Sequence, residues 1–201
     1  MPHRKISVII ACRNEALHLR SFLDSLLAQR TAGLDVEFII ADGLSDDATP
    51  AILREYAARH PRIRVIDNPG RIVSTGLNAA ILASSGNVVL RMDAHTEFHP
   101  DYIAACVAAL DRTGADNVGG PARTKADSRM GRAVAAAYHS PFSTGGARFH
   151  DPEFQGFVDT VTYGCWRRET LDRLGYFDET LVRNQDDELN YRLVLSGGRI
   201  Y

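Results

Sequence analysis

Two short stretches of this 201-residue chain carry side chains able to do chemistry on a charged substrate. In Asp93-Ala94-His95, shortly after the apolar run Val88-Val89-Leu90, a carboxylate and an imidazole two residues apart can converge on one divalent cation. Oxygen ligands suit magnesium or manganese, and the imidazole tilts the choice towards manganese. An ion held there would neutralise the charge that develops on a diphosphate leaving group. The same spacing also fits a loop-capping aspartate beside a surface histidine.

The second stretch is Asn184-Gln185-Asp186-Asp187-Glu188-Leu189-Asn190-Tyr191-Arg192. It reads first as the acidic start of a helix over Asp187 to Leu195, with Asp186 or Asp187 as N-cap and Glu188 paired to Arg192 at i,i+4. That leaves one carboxylate free. A carboxylate at a helix mouth can take the proton from an acceptor hydroxyl. On an ideal helix Asp186 lies about 160° to 200° from Glu188, so the two serve different faces, and Asp187 is the better cap.

The elements that must position these groups follow from hydrophobic periodicity. Ile6 to Ala11 is a compact β-branched run that reads as a strand, and Glu15 to Gln29 spaces Leu19, Phe22, Leu23 and Leu26 as a helix does. The unit recurs with Val36 to Ala41 and Thr49 to Arg59, then Arg62 to Ile66 and Ile72 to Ser84, then Asn87 to Met92 and Pro100 to Asp111. Such alternation implies an α/β domain with a mostly parallel, Rossmann-like sheet covered by helices on both faces. In a doubly wound sheet, ligands bind beyond the carboxyl ends of the strands. The loops there are Ala11-Cys12-Arg13-Asn14-Glu15, Asp42 to Asp47, and Asp93-Ala94-His95. Neither GxGxxG nor GxxxxGK[ST] occurs in the sequence, so a dinucleotide fingerprint and a phosphate-cradling P-loop are not supported.

Beyond Asn117 to Gly120, a short strand, the rhythm changes. Thr124 to Gly156 reads as a loop-rich insertion over a site, helical only around Met130 to Tyr138. Tyr138, His139 and Phe142 there can line an acceptor groove, though an amphipathic helix burying an aromatic is the simpler reading. Thr160 to Trp166 resumes as a strand and Glu169 to Leu174 as a short helix. Trp166 fits the core as well as a sugar platform, and Cys12 reads as a buried structural thiol.

Composition sets the outer bounds. With 45% hydrophobic and 24% charged residues the chain is one globular domain, and its formal charge of -2 gives no field to hold nucleic acid. The widely spaced Cys12, Cys106 and Cys165 fit neither a zinc knuckle nor a disulfide scaffold, which points to reduced thiols in the cytoplasm. Nothing approaches the ~20 apolar residues of a membrane span. Gly197-Gly198-Arg199-Ile200-Tyr201 reads as a turn opening a further strand. The expectation is a domain incomplete at its C-terminus, with membrane association through whatever follows.

These motifs together resemble family 2 glycosyltransferases. Ser7 to Glu15, the Asp42 loop, Asn68-Pro69-Gly70 with Gly76-Leu77-Asn78, Asp93-Ala94-His95, Gly175-Tyr176-Phe177-Asp178-Glu179 and Asn184 to Arg192 fall in that family's order. The pairing of D-A-H with N-Q-D-x-E-L-N-Y-R is similar to the succinoglycan-type exopolysaccharide enzymes. The resemblance implies a GT-A fold and an inverting transfer of a hexose from a nucleotide diphosphate sugar, a UDP-sugar first, to a glycan or lipid-linked acceptor. It implies that Ala11, Arg13, Glu15, Asp42, Arg71 and Asp93 bind the nucleotide, that Asp93 and His95 hold Mn2+ or Mg2+, and that Asp186 is the catalytic base. It also divides the chain into a nucleotide-binding half, 1–95, and an acceptor-side half, 96–201, at work in the cytoplasm or on the cytoplasmic face of the inner membrane. His95 departs from the family's usual second Asp, and Gln185 from the Glu before the base. Two other readings stay open: a nucleotidyltransferase on a related fold, for which no Gly-rich phosphate loop is present, and a truncated module that binds nucleotide or glycan without turnover.

Overall fold

The computed structural model describes residues 4–121, 128–138 and 153–201. Strands β1 (Lys5–Cys12), β2 (Asp35–Asp42), β3 (Ile63–Asp67) and β4 (Val88–Arg91) alternate with helices α1 (Ala16–Leu27), α2 (Thr49–Arg59) and α3 (Val73–Ala83). There follow α4 (Tyr102–Thr113), β5 (Asn117–Val118), α5 (Arg129–Tyr138), β6 (Cys165–Arg167), α6 (Arg168–Leu174) and α7 (Gln185–Leu195). The strands form a sheet in the order β3-β2-β1-β4-β6-β5, parallel except for β6, which runs against both its neighbours. The expected α/β architecture is present.

Alternation along each strand sorts the core into two layers. Ile6, Val8, Ile10, Phe38, Ile40, Val88 and Leu90 face one side, where Leu19, Leu23 and Leu26 of α1, Leu53 of α2 and Leu110 of α4 close over them. Ile9, Ile39 and Val89 face the other, against Leu77 and Ile81 of α3, Leu171 of α6 and Leu189 of α7. Trp166 belongs to this second layer at 2% exposure, so it is core and not a sugar platform. Because β2 and β3 lie on one side of β1 and β4 on the other, the order in which parallel strands are added reverses between β1 and β4. A crevice opens at the carboxyl ends of such a pair.

Two expectations need correction. Thr160 to Gly164 is not strand: the Thr160 hydroxyl and the Val161 carbonyl accept from Asn190 Nδ2 at 2.9 and 3.0 Å, so this backbone serves α7 and not a ladder. Helix α7 begins at Gln185, and its cap is Asn184 in the left-handed region (φ 60°), so neither Asp186 nor Asp187 is the N-cap. Asp187 instead accepts from Thr160 Oγ1 at 3.1 Å. After the turn at Gly197, Ile200 bridges Asn117 of β5 and Val158, as the expected opening of a strand would. In α5 the apolar Met130 and Val134 are exposed; the Tyr138 side chain, His139, Phe142 and most of the proposed insertion lie outside the described residues.

Candidate active site

The loops beyond β1, β2 and β3 are knitted to one another. Asn14 N donates to Ser45 Oγ at 2.9 Å, Asn14 and Asp46 exchange two further hydrogen bonds, and Glu15 N donates to Thr49 Oγ1 at 2.8 Å. Asn68 N donates to the Asp42 carbonyl at 2.8 Å, joining the third loop. Asn14, Leu44 and Arg71, one per loop, all take positive φ (56°, 53° and 61°). Non-glycine residues adopt that region at a cost, and it recurs where a surrounding structure fixes a ligand-facing loop. Gly76 lets α3 approach this edge, since a Cβ there would lie 2.8 Å from Asn68 Nδ2 and 3.0 Å from Ala11 Cβ.

Each nucleotide-side residue has a definite place. Asp42 is buried and its two oxygens accept from Ser45 Oγ at 2.5 Å and Ser45 N at 3.2 Å, which fixes the carboxylate plane. The Arg13 stem packs on Gly43, where a Cβ would sit 3.1 Å from Arg13 Cβ. The guanidinium groups of Arg13 and Arg71, both exposed, make no ion pair among the described residues. Ala11 is half-buried at the end of β1, in register with Ala41. Negative charge concentrates here: the buried Cys12 thiol is pushed up to about 12, first by burial and then by Asp42, Glu15, Asp47 and Asp93. Cys12 is therefore an inert structural thiol, like the buried Cys106 and Cys165.

Asp93 and His95 do meet. His95 Nδ1 lies 2.9 Å from Asp93 Oδ1 and 3.5 Å from Glu15 Oε1. The Asp93 hydrogen bond, opposed by partial burial and aided by both carboxylates, raises the imidazole pKa to about 9. Burial works against ionising Asp93, but the His95 hydrogen bond with the charges of His95 and Arg91 prevails, and its pKa falls. A carboxylate and an imidazole held this close could both ligate a divalent cation, which would replace the proton they share. Among the described residues no group of three or more His, Cys, Asp or Glu is arranged to hold a metal. An ion held by Asp93 and His95 alone would leave most of its coordination positions to other ligands.

The residue that sequence reasoning missed is Arg91. At 4% exposure it is the buried cation of the site. Its Nη1 donates to Asp186 Oδ1, its Nη2 lies 3.5 Å from Asp93 Oδ2, and its guanidinium sits 5.4 Å from the Tyr163 ring centroid. Asp93 and Asp186, 93 residues apart in the chain, thus share one guanidinium. Burial raises the Asp186 pKa; Arg91 opposes this, while Asp187 and Asp93 add to it. A carboxylate with increased proton affinity suits general-base work better than a solvated one.

Helix α7 is aimed by buried polar side chains. Asn117 Nδ2 donates to Asn190 Oδ1 at 2.8 Å, tying α7 to β5. Glu188 pairs with Arg192 as expected, and Arg192 also donates to the carbonyls of Leu174 and Tyr176. The Gly175 to Glu179 turn is held on α3 by Asn78, which donates to Phe177 O at 2.8 Å and accepts from Phe177 N at 3.0 Å. Gly175 ends α6 at φ 83°, a conformation that favours glycine. The motif residues outside the crevice thereby turn out to be the frame that orients Asp186.

A parallel sheet whose switch point gathers carboxylates, an imidazole and a buried guanidinium defines the class of α/β proteins that hold phosphate-bearing ligands at a strand edge. The sequence model described as glycosyl transferase family 2 matches residues 7–175, and the chain belongs to that family. The succinoglycan biosynthesis protein ExoA of Rhizobium meliloti is 33% identical over 196 residues, covering 96% of this chain and 59% of ExoA. A mannosyltransferase from Pyrobaculum calidifontis, solved in complex with GDP-Man and Mn2+, superposes with a TM-score of 0.74 at 21% identity, over 98% of this chain and 54% of that one. TarS of S. aureus in complex with UDP-GlcNAc superposes with a TM-score of 0.68 at 18% identity, over 98% and 56%. The fold is thus the GT-A fold, and the chain spans little more than half the length of these relatives.

Proposed function

We propose that the chain is the donor-binding catalytic domain of an inverting, divalent-metal-dependent glycosyltransferase. It moves a hexose from a nucleoside diphosphate sugar, a UDP-sugar first, to a hydroxyl of a glycan or lipid-linked acceptor in polysaccharide assembly. The observation that carries this reading is the convergence of Asp93 and Asp186 on Arg91 at the switch point. ExoA supports the polysaccharide setting, and the solved relatives, whose complexes hold GDP-Man, Mn2+ and UDP-GlcNAc, support the donor class. The setting proposed is the cytoplasm, at the inner face of the membrane when the acceptor is lipid-linked. Three free, buried cysteines suit a reducing compartment.

Within this reading, residues 1–95 hold the nucleotide and 96–201 face the acceptor. Asp42 accepts from the imide N–H of the base, and Ala11, Arg13, Glu15 and Arg71 line the donor. Asp93 and His95 would hold Mn2+ or Mg2+, which when bound neutralises charge on the departing diphosphate. Asp186 takes the proton of the acceptor hydroxyl as its oxygen bonds to the anomeric carbon and the bond to the nucleoside diphosphate breaks on the opposite face. One displacement inverts the centre. Titrating the chain with UDP, GDP and dTDP, with and without manganese, tests this reading. Manganese-dependent binding of one of them is expected, and binding of none overturns it.

A further inference from the structure

We propose that Arg91 is the resident cation of the site, occupying Asp93 until a divalent ion displaces it, and so setting how weakly the nucleotide-free chain holds metal. The inference rests on the reading of Asp93 as a metal ligand and concerns a residue no motif assigned. Arg91 ends β4, where the backbone is fixed by Arg91 N donating to Gly164 O at 2.9 Å and Met92 N to Ile9 O at 3.1 Å. Its side chain, 5% exposed, has Tyr163 against it, and Tyr163 is pinned by a hydrogen bond to Thr96 at 2.8 Å and one from Tyr102 to its carbonyl at 3.2 Å. The guanidinium therefore has two destinations, Asp93 and Asp186.

A guanidinium beside Asp93 Oδ2 and a divalent ion at Oδ1 and His95 compete for the charge of one carboxylate, and in a partly buried site their mutual repulsion is poorly screened. Asp186 tethers Arg91 and keeps it from closing fully on Asp93. Removing the tether therefore releases Arg91 onto Asp93, whereas removing both partners leaves Asp93 free. These changes have opposite signs. The double change also removes one positive and one negative charge, so it separates direct competition from the net field.

The test is the free Mn2+ resonance signal titrated with the chain at one pH, without nucleotide and then with UDP and GDP, alongside thermal melting of every variant. D186N should bind Mn2+ about tenfold more weakly than the parent, and R91M/D186N about tenfold more tightly. R91K, which keeps a cation there, should stay near the parent. A folded double variant that binds Mn2+ no more tightly than the parent overturns the proposal. Should the double variant fail to fold, D186N decides: affinity equal to or above the parent's overturns it equally. If the parent takes up Mn2+ with UDP or GDP and the variants do not differ, only the role of Arg91 falls. If it takes up none with any nucleotide, the metal reading falls as well.

Discussion

At the amino end of the strands Glu37 is half-buried among donors supplied by the protein: Ser7 Oγ at 2.6 Å, Ser85 N at 2.7 Å, Ser85 Oγ at 3.0 Å, and Lys5 Nζ at 3.1 Å. At the carboxyl end Asp186 is equally half-buried, but with one guanidinium, which it shares with Asp93. The two carboxylates titrate in opposite directions. Burial pushes each up, but the hydrogen bonds to Glu37 prevail and hold it at about 2, whereas at Asp186 burial prevails over Arg91. A carboxylate whose acceptor sites are filled stabilises the fold; one left short of donors keeps affinity for a proton or cation. The difference separates the frame of this molecule from its chemistry.

The largest effect expected at the carboxyl end is on Asp186. Asp186→Asn should lower sugar transfer by ~10²- to 10⁴-fold while nucleotide still binds at saturating manganese, because the variant loses a base and not a donor contact. Asp187→Asn should keep most activity, since Asp187 only accepts from Thr160. Nucleoside diphosphate release and product formation measure both. Substantial transfer by Asp186→Asn would return Asp186 to the frame and erase the contrast.

At the amino end the sharpest test is steric. A Cβ on Gly86 would lie 2.5 Å from Ser7 Oγ, 2.6 Å from Ser7 N and 2.8 Å from Lys5 O, and two of these are atoms of the central strand's backbone. Gly86→Ala should therefore destabilise by about 2–3 kcal/mol in urea unfolding, with nucleotide affinity unchanged in the folded fraction. Loss of binding without loss of stability would mean that the two ends are coupled.

How much of this was legible beforehand depended on whether a residue announced itself at a strand end. Asp42, Asp93 and His95 follow apolar runs, so the α/β pattern placed them at the carboxyl edge of the sheet, where the structure has them, and the acidic α7 start drew attention to Asp186. Arg91 was missed because it sits inside Val88-Val89-Leu90-Arg91-Met92 and read as one more strand residue. The signal was available: an arginine in a strand flanked by apolar residues on both sides must be buried, and a buried guanidinium needs a carboxylate. Periodicity also missed the αL cap at Asn184, whose conformation is set by the loop held on α3 through Ser74 Oγ donating to Leu181 O at 2.9 Å. Asn117 and Asn190 gave no warning, because what aims α7 is a contact between residues 73 apart.

Asp42 tests the nucleotide side of the comparison. Its carboxylate is held by Ser45, and in the proposed role it accepts from an imide N–H, so Asp42→Asn would turn an acceptor into a donor facing a donor. UDP affinity should fall about tenfold by calorimetry, roughly the ~1.4 kcal/mol of one mismatched hydrogen bond. Unchanged affinity would assign Asp42 to the loop frame alone.

The smallest effect expected is the pH dependence that Glu37 gives to stability, and its sign follows from linkage. The folded chain holds Glu37 at about 2 against an ordinary value of 4.5, so folding favours the ionised form. The stabilisation is complete above the unfolded value and is lost as pH falls from about 4.5 towards 2, where the unfolded chain binds a proton that the folded chain refuses. With the side chain 18% exposed and Lys5 36% exposed, solvent screens part of it, leaving about 1–2 kcal/mol. Glu37→Gln should be less stable than the parent by that amount at pH 7, and the gap should narrow as pH falls below about 4.5 and close only once pH is below about 2. Comparing the two chains at each pH cancels the titration of Asp186 and every other group they share. A gap that stays constant would mean that Glu37 acts through packing of its stem against β1 and not through its charge, and the amino end would then differ from the carboxyl end in shape alone.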